Sequence, residues 1–276
     1  MSQSNSRPTD DLPPARYIPA ERVIAEMARW GRNRIEGLGS VKILVLGIMG
    51  GAFIAAGALL SLLLGSGVAS PGGRLLVEGF GFSAGFFFVV LSEAALFTEA
   101  NVVMPATLLS GGSPARHVFR FWGLAVLGNV VGAFLVGLMV SSVGSYDASF
   151  DALLAATIDA KMRFRAIGGV EGWMQALLSG VLANWLVGMA AFFATMGRTI
   201  IGKHIPVLLA VTTFVAAGFQ HAPANLGYFA LSIFGGEGPS LWSAVSWNLI
   251  PAGIGNVLGG AVLVALPFWY LYGRNR

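Results

Sequence analysis

A histidine interrupts one long apolar stretch of the sequence. His221 follows the apolar run at 211–218 and precedes Pro223 and Asn225. Imidazole changes its charge near neutral pH, so it suits proton transfer or a switchable hydrogen bond. A lone histidine more often bonds only a neighbouring helix, but an ionisable residue deep in apolar sequence favours a functional role. His221 is therefore the first candidate site residue.

A polar cluster interrupts a second apolar stretch. Thr98, Glu99 and Asn101 follow the apolar run at 79–96. The Thr98 hydroxyl can donate and accept hydrogen bonds, although threonine also caps broken helices. A broken backbone inside a bilayer is tolerated only where it is buried in protein or lines a cavity. The two clusters together predict a pore or a binding pocket.

The composition indicates which solvent surrounds the chain. Of its 276 residues, 55% are hydrophobic and 11% are charged, and the mean hydropathy is +0.74. An ordinary soluble domain carries about 25% charged residues. The absence of cysteine excludes disulfides and thiolate chemistry. The first forty residues hold no signal-peptide core, so the first apolar run is expected to remain as a span. We expect an all-α integral membrane protein.

Six transmembrane helices are predicted, because a hydrocarbon core about 30 Å thick needs roughly 20 apolar residues. They lie at 43–64, 76–109, 119–143, 173–196, 205–234 and 248–272. Spans 2 and 5 are too long for single helices, and polar residues interrupt the apolar sequence of both. Pro223 disfavours a helix at the preceding residue and suits the first turn of a new one. We therefore predict interruptions at 97–101 and at or beside His221.

The two halves of the chain share one plan. Each has three spans with the middle one interrupted, and the interruptions end in Ala100-Asn101 and Ala224-Asn225. Because each half holds an odd number of spans, the halves must have opposite orientation, as in many transporters with inverted repeats. The two breaks should then meet near mid-membrane. Free N–H groups and partial positive charge at helix starts suit an anion.

The basic residues predict topology. With a cytoplasmic N-terminus, thirteen of the seventeen Lys and Arg residues lie on the cytoplasmic side. This division follows the positive-inside rule and predicts both termini in the cytoplasm. Because these charges record topology, the expected partner is the lipid bilayer and not nucleic acid.

Residues 1–41 are predicted to form a cytoplasmic N-terminal segment. Within it, Val23, Met27 and Trp30 lie about one helical turn apart, with arginines on the other faces. This pattern favours an amphipathic helix on the inner membrane surface. The alternative is a mobile plug over the pore entrance.

A series of motifs runs along the chain from about Lys42 to its C-terminus: Leu96-Phe97-Thr98, Ala183-Asn184-Trp185-Leu186-Val187, Gly218-Phe219-Gln220-His221 with Ala224-Asn225, Asn248-Leu249-Ile250-Pro251, Gly255-Asn256, Gly259-Gly260 and Trp269-Tyr270. In these motifs and their order the chain closely resembles the formate/nitrite transporter family. The resemblance implies that residues 42–276 form a six-span, aquaporin-like transporter domain. It also implies a homopentamer with one pore per protomer, conducting formate, nitrite, hydrosulfide, lactate or similar species. We expect it in a prokaryotic cytoplasmic (inner) membrane.

The resemblance also assigns roles to individual residues. The family's pore histidine and loop threonine correspond to His221 and Thr98. His221 would donate a hydrogen bond or a proton to the substrate, and Thr98 would help complete the polar shell. The family's polar asparagines correspond to Asn184 and Asn225, although asparagine also serves as interhelical glue. Asn225 would join the polar shell.

Apolar constrictions of the family correspond to five further positions. Two apolar rings would strip water from a passing ion, and a bare anion there is costly, so a neutral weak acid would cross more easily. Spacings of four between Phe82 and Phe86 and seven between Phe214 and His221 allow each pair to share a helix face. The constriction residues are Phe82, Phe86, Leu96, Phe97 and Phe214.

Two features depart from the family pattern. The family usually has an acidic residue before Leu-Phe-Thr and a small residue after it, whereas here Ala95 precedes the motif and Glu99 follows it. An ionised Glu99 would repel an anion and attract a cation, and a protonated one would join a proton relay; Glu93 is an alternative for the displaced structural role. The family's anion-attracting lysine corresponds to Lys161, in a longer external segment.

Lys161 has two competing interpretations. It draws anions toward the pore, with Arg163 and Arg165 sharing the task, or it is a solvated loop charge.

The leading hypothesis is passive or proton-coupled passage of a small monovalent anion or its weak acid, with formate and nitrite as the best candidates. A cation or ammonium pathway that uses Glu99 is the alternative. An enzyme is less favoured, because the spans hold no paired carboxylates, histidine cluster or nucleophile with a base. No metal or cofactor is expected. A purely structural protein is the least favoured class, given the intramembrane histidine.

Overall fold

The structure, a computed structural model, describes residues 17–111, 113–144, 146–236 and 238–274. Within these ranges the chain is helical, apart from loops and a β-bridge between Tyr17 and Gly197. The last helix, Leu241–Tyr272, includes two π-helical stretches, Val245–Leu249 and Ala261–Ala265. The helices are α1 Ala20–Gly37, α2 Ser40–Gly65, α3 Pro71–Ser92, α4 Phe97–Leu109, α5 Ala115–Val143, α6 Ala148–Ile167, α7 Gly169–Met196, α8 Ile200–Ala216, α9 Ala222–Phe234 and α10 Leu241–Tyr272.

Five of the described helices, α2, α3, α5, α7 and α10, are long and apolar enough to cross a membrane. The 26 residues of α2, for example, extend about 39 Å at the rise of an α-helix. Helix α8 is apolar but shorter, with 17 residues. The structure thus has the all-helical, multi-pass architecture of a membrane protein.

Two pairs of helices follow one another across short breaks. Helix α3 ends at Ser92 and α4 begins at Phe97, while α8 ends at Ala216 and α9 begins at Ala222. The first break lies at 93–96, four residues before the predicted position. The reason is that Glu93 caps α3 in the left-handed conformation, with φ 55°, and Leu96 is extended. Residues 97–101 therefore form the start of α4.

The segment before α7 is also helical, where the sequence suggested an external loop. Asp147 caps the start of α6, since its side chain accepts a hydrogen bond from the Phe150 N–H at 2.9 Å. These hydrogen bonds from Ser149 and Phe150 hold the Asp147 pKa below its usual value. Gly168, with φ 73°, ends the helix. Lys161 accordingly lies on a helix that packs beside α9.

Close helix crossings occur at glycines. Helices α2 and α5 approach so closely that a Cβ atom on Gly128 would lie 2.7 Å from the Gly47 Cα. Helices α7 and α10 do the same, since a Cβ on Gly180 would lie 2.6 Å from the Ala252 carbonyl oxygen. Such contacts let backbones pack where lipid gives no hydrophobic drive for association.

The amphipathic helix predicted within the N-terminal segment is observed as α1. Ile24 and Ala28 are buried against Ala106 of α4 and the aromatic residues of α10. The buried Arg34 guanidinium stacks over Trp30 at 4.4 Å. The apolar face of α1 is thus covered by protein; residues 1–16 of the predicted N-terminal segment lie outside the described ranges.

Candidate functional site

The two broken helices bring His221 and Thr98 together. Thr98 lies in the first turn of α4, and His221 is the residue that precedes α9. The His221 Nε2 and Thr98 Oγ1 atoms are 2.8 Å apart, and both side chains are fully buried. We call these two residues the central pair. Residues 123 positions apart in sequence thus form one polar contact inside the membrane domain.

Backbone geometry determines the hydrogen-bonding role of His221. The Ala224 N–H donates to His221 Nδ1 at 3.2 Å. A backbone N–H can only donate, so Nδ1 must be the acceptor and the neutral ring carries its hydrogen on Nε2. His221 therefore donates to Thr98 Oγ1. The Thr98 hydroxyl hydrogen then has no acceptor within the described part of the chain.

An asparagine fixes the break between α3 and α4. The Asn129 Oδ1 accepts a hydrogen bond from the Phe97 N–H at 3.0 Å. Its Nδ2 donates to the carbonyl oxygens of Gly47 and Ala95, both at 2.8 Å. One buried side chain of α5 thus satisfies a free N–H at the start of α4 and a carbonyl of the break.

A second asparagine fixes the other break in the same way. The Asn256 Oδ1 accepts from the Ala222 N–H at 2.8 Å, and its Nδ2 donates to the carbonyls of Gly180 at 2.8 Å and Gln220 at 3.0 Å. In both breaks the amide bonds the first N–H of the new helix, the carbonyl two residues earlier and a glycine carbonyl of a neighbouring helix. The two halves therefore share a hydrogen-bond pattern as well as a helix order.

Asn129 was missed from the sequence, although a signal for it exists. It lies in Gly128-Asn129-Val130-Val131-Gly132, which repeats as Gly255-Asn256-Val257-Leu258-Gly259. Reading the two segments as one repeated motif identifies both asparagines.

Among the described residues, neither predicted asparagine forms a side-chain hydrogen bond with the His221 ring. The Asn184 Nδ2 donates to the Thr98 carbonyl at 3.3 Å and the Asn256 carbonyl at 2.6 Å. Asn225 donates to Gln220 Oε1 at 2.8 Å and to Asn248 Oδ1 at 2.7 Å. Their own Oδ1 atoms are buried without a partner within the described residues. Both side chains brace the junction of the half-helices.

A group of three aromatic side chains surrounds a point beside His221. Phe82 of α3 and Phe214 of α8 meet edge to face, with ring centres 5.7 Å apart, and Phe214 lies 5.2 Å from the His221 ring. Tyr228 completes the group, 6.1 Å from Phe82, and its hydroxyl donates to Ser61 at 3.1 Å. We call Phe82, Phe214 and Tyr228 the aromatic ring. No sequence pattern distinguishes Tyr228, which lies in ordinary apolar sequence.

The other predicted constriction residues occupy different places. Phe86, one turn after Phe82, and Leu96, before α4, are both fully buried. Phe97 instead lines a separate apolar cavity of about 430 Å³, with Val126, Pro223 and other residues of α5, α9 and α10. Among the described residues, Phe97 therefore has no ring contact with the aromatic ring or with His221.

Lys161 lies over the aromatic ring. Its Nζ is 3.4 Å from the Phe219 carbonyl oxygen and 5.8 Å from the centre of the Tyr228 ring. The side chain is only 8% exposed. Burial, with a smaller effect from the positive charge of Arg163, lowers the Lys161 pKa to about 8. We call this side of the central pair the α6 end. Lys161 is not a solvated loop charge.

Glu99 lies on the opposite side of the central pair, which we call the α1 end. It lines a cavity of about 210 Å³ under α1, together with Trp30, Glu93, Lys203 and other residues. The side chain is 9% exposed. The Arg34 guanidinium, which is close enough to affect Glu99 electrostatically, donates to the Glu93 carbonyl at 2.8 Å. Lys161 and Glu99 thus place a basic group at one end and an acidic group at the other.

The arrangement defines a class of protein. In the described ranges, no group of three or more His, Asp or Glu side chains could hold a metal ion. Instead, two broken helices meet at the central pair. The aromatic ring and Lys161 lie on one side of the pair, and the cavity lined by Glu99 lies on the other. Broken helices whose starts converge in a multi-pass membrane protein are the construction of channels and transporters.

Comparison with known proteins identifies the family within that class. The family model for the formate/nitrite transporter matches residues 21–270, and the chain belongs to this family. A probable formate transporter of Methanothermobacter thermautotrophicus is 33% identical over 247 residues, which cover 84% of this chain and 89% of the relative.

Solved structures agree with the family and the fold. An ion channel of the FNT family matches with a TM-score of 0.78 and 26% identity, over 91% of this chain and 98% of that one. A pentameric formate channel with formate bound matches with a TM-score of 0.71 and 22% identity, over 85% and 98% of the two chains, and this match concerns the fold alone. The protein is thus a multi-pass membrane protein from a family of small-anion transporters.

Proposed function

We propose that the chain forms a pore for small monovalent anions or their conjugate weak acids, with formate and nitrite as the principal substrates. One observation carries this proposal: the central pair offers hydrogen-bond donors. The Ala224 N–H occupies His221 Nδ1, so the pair can offer a substrate only donors: the Thr98 hydroxyl hydrogen, and His221 Nε2–H in place of its bond to Thr98 Oγ1. Carboxylate and nitrite oxygens accept hydrogen bonds, and donors to a charged acceptor are about twice as strong as neutral ones.

The order of groups supports a route for such a substrate. Lys161 attracts an anion to the α6 end. The aromatic ring then removes its water, which is costly for a charge and far less so for the neutral acid. Beyond the ring, the donors of the central pair and the positive ends of α4 and α9 replace lost hydration.

This geometry favours His221 as a hydrogen-bond donor over His221 as a proton donor. If the neutral imidazole released its Nε2 proton, Nδ1 would have to gain one to avoid an anionic ring. The Ala224 N–H faces Nδ1 and blocks that gain. The proton for the weak acid therefore comes from elsewhere than His221.

The finer architecture follows from the same features. We propose two inverted three-helix repeats, in which α3 with α4 and α8 with α9 act as interrupted second and fifth spans. The matching bonds of Asn129 and Asn256 support this repeat. We further propose a homopentamer in a prokaryotic inner membrane with both termini cytoplasmic, supported by the fold of a pentameric formate channel and by the distribution of basic residues.

A cation or ammonium pathway is the second candidate, because Glu99 is a buried carboxylate. Ammonium offers only donors, so it needs acceptors at the central pair, where Nδ1 is already occupied. Lys161 would also repel it at the α6 end. Both observations favour the anion.

Flux into liposomes tests the proposal. Purified protein is reconstituted, and uptake of formate, nitrite, hydrosulfide, lactate and ammonium is compared with uptake by protein-free liposomes. We expect formate and nitrite to enter well above the protein-free rate and ammonium to stay at that rate. Uptake of ammonium alone would show that the pathway carries cations.

A further inference from the structure

Glu99 is a buried carboxylate without a partner. It follows Thr98 directly in the first turn of α4. Within the described residues its carboxylate takes part in no hydrogen bond or ion pair. An isolated ionised carboxylate in a membrane protein is strongly disfavoured, and such residues mark proton or ion pathways. Helix packing gives no reason for an acid here.

The charges around Glu99 allow it to be either ionised or neutral. Arg34 of α1 and Lys203 of α8 favour the ionised form, while Glu93 after α3 opposes it. The Arg34 guanidinium is engaged by the Glu93 carbonyl and Trp30. Arg29 and Glu26 of α1 also line the cavity, but they pair with each other. Among the described residues, therefore, no cation is paired with the Glu99 carboxylate, which lines a cavity of about 210 Å³.

We propose that Glu99 is a proton-binding site that exchanges a proton with the weak acid at the α1 end of the pore. This inference rests on the proposed function. As the neutral acid leaves the central pair, its O–H bond breaks and the electron pair stays on the substrate oxygen. The proton forms a new O–H bond on the Glu99 carboxylate, and the products are the substrate anion and a neutral glutamic acid. Glu99 then releases the proton to water, and passage in the other direction reverses these steps.

Glu99 fills a role that the central pair cannot perform. His221 has no free nitrogen for an incoming proton, because Nδ1 accepts from Ala224. Threonine is too weak an acid or base for this exchange. An ionised Glu99 also repels an anion that arrives without a proton, so the carboxylate couples the two movements. Anion passage through the wild-type pore is therefore expected to be electroneutral.

The test measures how many protons accompany each formate ion. Liposomes contain a pH-sensitive dye, and labelled formate uptake is recorded with and without valinomycin and potassium to clamp the membrane voltage. The variants are Glu99→Gln, which keeps the shape and removes the titratable oxygen, and Glu99→Asp, which keeps the acid. Glu93→Gln is the matched control, because it neutralises an exposed carboxylate of the same cavity. Size-exclusion chromatography checks the assembly of each variant.

We expect about one proton per formate in the wild type, with little effect of valinomycin, as for an electroneutral step. Glu99→Gln should move formate about twofold faster or more under voltage clamp, because a repelling charge is gone, with a proton ratio below about one half. Glu99→Asp should restore the ratio, and Glu93→Gln should match the wild type.

Other results would overturn the inference. A wild-type proton ratio in Glu99→Gln would show that the carboxylate is not the exchange site, while leaving the anion pore intact. If Glu93→Gln changed the formate flux and the proton ratio as much as Glu99→Gln does, the effect would come from the total charge of the cavity and not from proton exchange at Glu99. Loss of flux in both assembled Glu99 variants would also contradict it. Absence of formate and nitrite flux in the wild type would instead refute the proposed function.

Discussion

Replacing Lys161 by glutamine should weaken substrate capture at the α6 end. The Lys161 Nζ lies 5.8 Å from the Tyr228 ring, so an anion poised over that ring is held at about this distance. Coulomb attraction at about 5.8 Å amounts to about 0.7 kcal/mol in bulk water and about 2.9 kcal/mol at an effective dielectric constant of about 20. These limits correspond to about threefold and about 100-fold in affinity.

Because Lys161 is only 8% exposed, neither limit applies in full, and we expect an intermediate effect of about tenfold to 30-fold in the KM for formate. The maximal rate should change much less, since the central pair is untouched. Stopped-flow uptake into liposomes over a range of formate concentrations separates the two parameters. Arg163→Gln is the matched control: its exposed guanidinium bonds the Gly218 carbonyl at 3.1 Å, and its removal should raise KM less.

The Lys161 effect should also depend on pH. Burial lowers the Lys161 pKa to about 8, so the ammonium charge is present below about pH 8 and is lost above it. The KM of the wild type should therefore rise between about pH 7 and about pH 9 and approach that of Lys161→Gln. A KM in Lys161→Gln that stays within about twofold of the wild type at about pH 6.5 would refute the reasoning. So would a difference that persists undiminished at about pH 9.5.

Three further predictions concern the junction and the ring. Thr98→Val should lower formate flux in liposomes about tenfold or more, because it removes a donor to the anion, whereas Thr98→Ser should retain most of it. Asn129→Ala and Asn256→Ala should each lower the free energy of unfolding by about 2–4 kcal/mol in detergent melts, because each leaves buried backbone groups without a hydrogen-bond partner. Asn101→Ala is the control and should cost less, because the Asn101 side chain bonds no described residue. Tyr228→Ala should widen the aromatic ring and raise lactate flux relative to formate; an unaltered ratio would remove Tyr228 from the constriction.

The helices and breaks were predicted from composition and from the residues that interrupt apolar sequence. Runs of about 20 apolar residues specify spans because the bilayer is a uniform apolar solvent. Pro223 located the second break closely, since proline acts on its own neighbours through local geometry. No such residue marks the first break, which depends on Glu93 adopting a left-handed conformation, so its predicted position was four residues late.

The site was predictable where family motifs mark it and less so where packing decides. The sequence placed His221 and Thr98 at two breaks that should meet, and their side chains lie 2.8 Å apart; their role in the pore stays a prediction. The contact of Tyr228 with Phe82 and the position of Phe97 in a separate cavity depend on how the helices face one another, which no local sequence pattern indicates. The role of Asn129 required comparing the two halves of the chain, because its hydrogen bonds reach three different segments.

The most direct test of the account is formate and nitrite flux through His221→Phe. Phenylalanine keeps the ring contact with Phe214 and removes the Nε2–H donor, so the loss of a hydrogen bond to an anion should lower flux by about 10-fold to 100-fold or more. His204→Phe, which replaces a histidine whose ring lies 4.4 Å from that of Phe87 and outside the central pair, is the control and should conduct like the wild type. Near-abolished flux in an assembled His221→Phe protein is the predicted result. Wild-type flux in that variant would contradict the assignment of the pore to the His221–Thr98 pair.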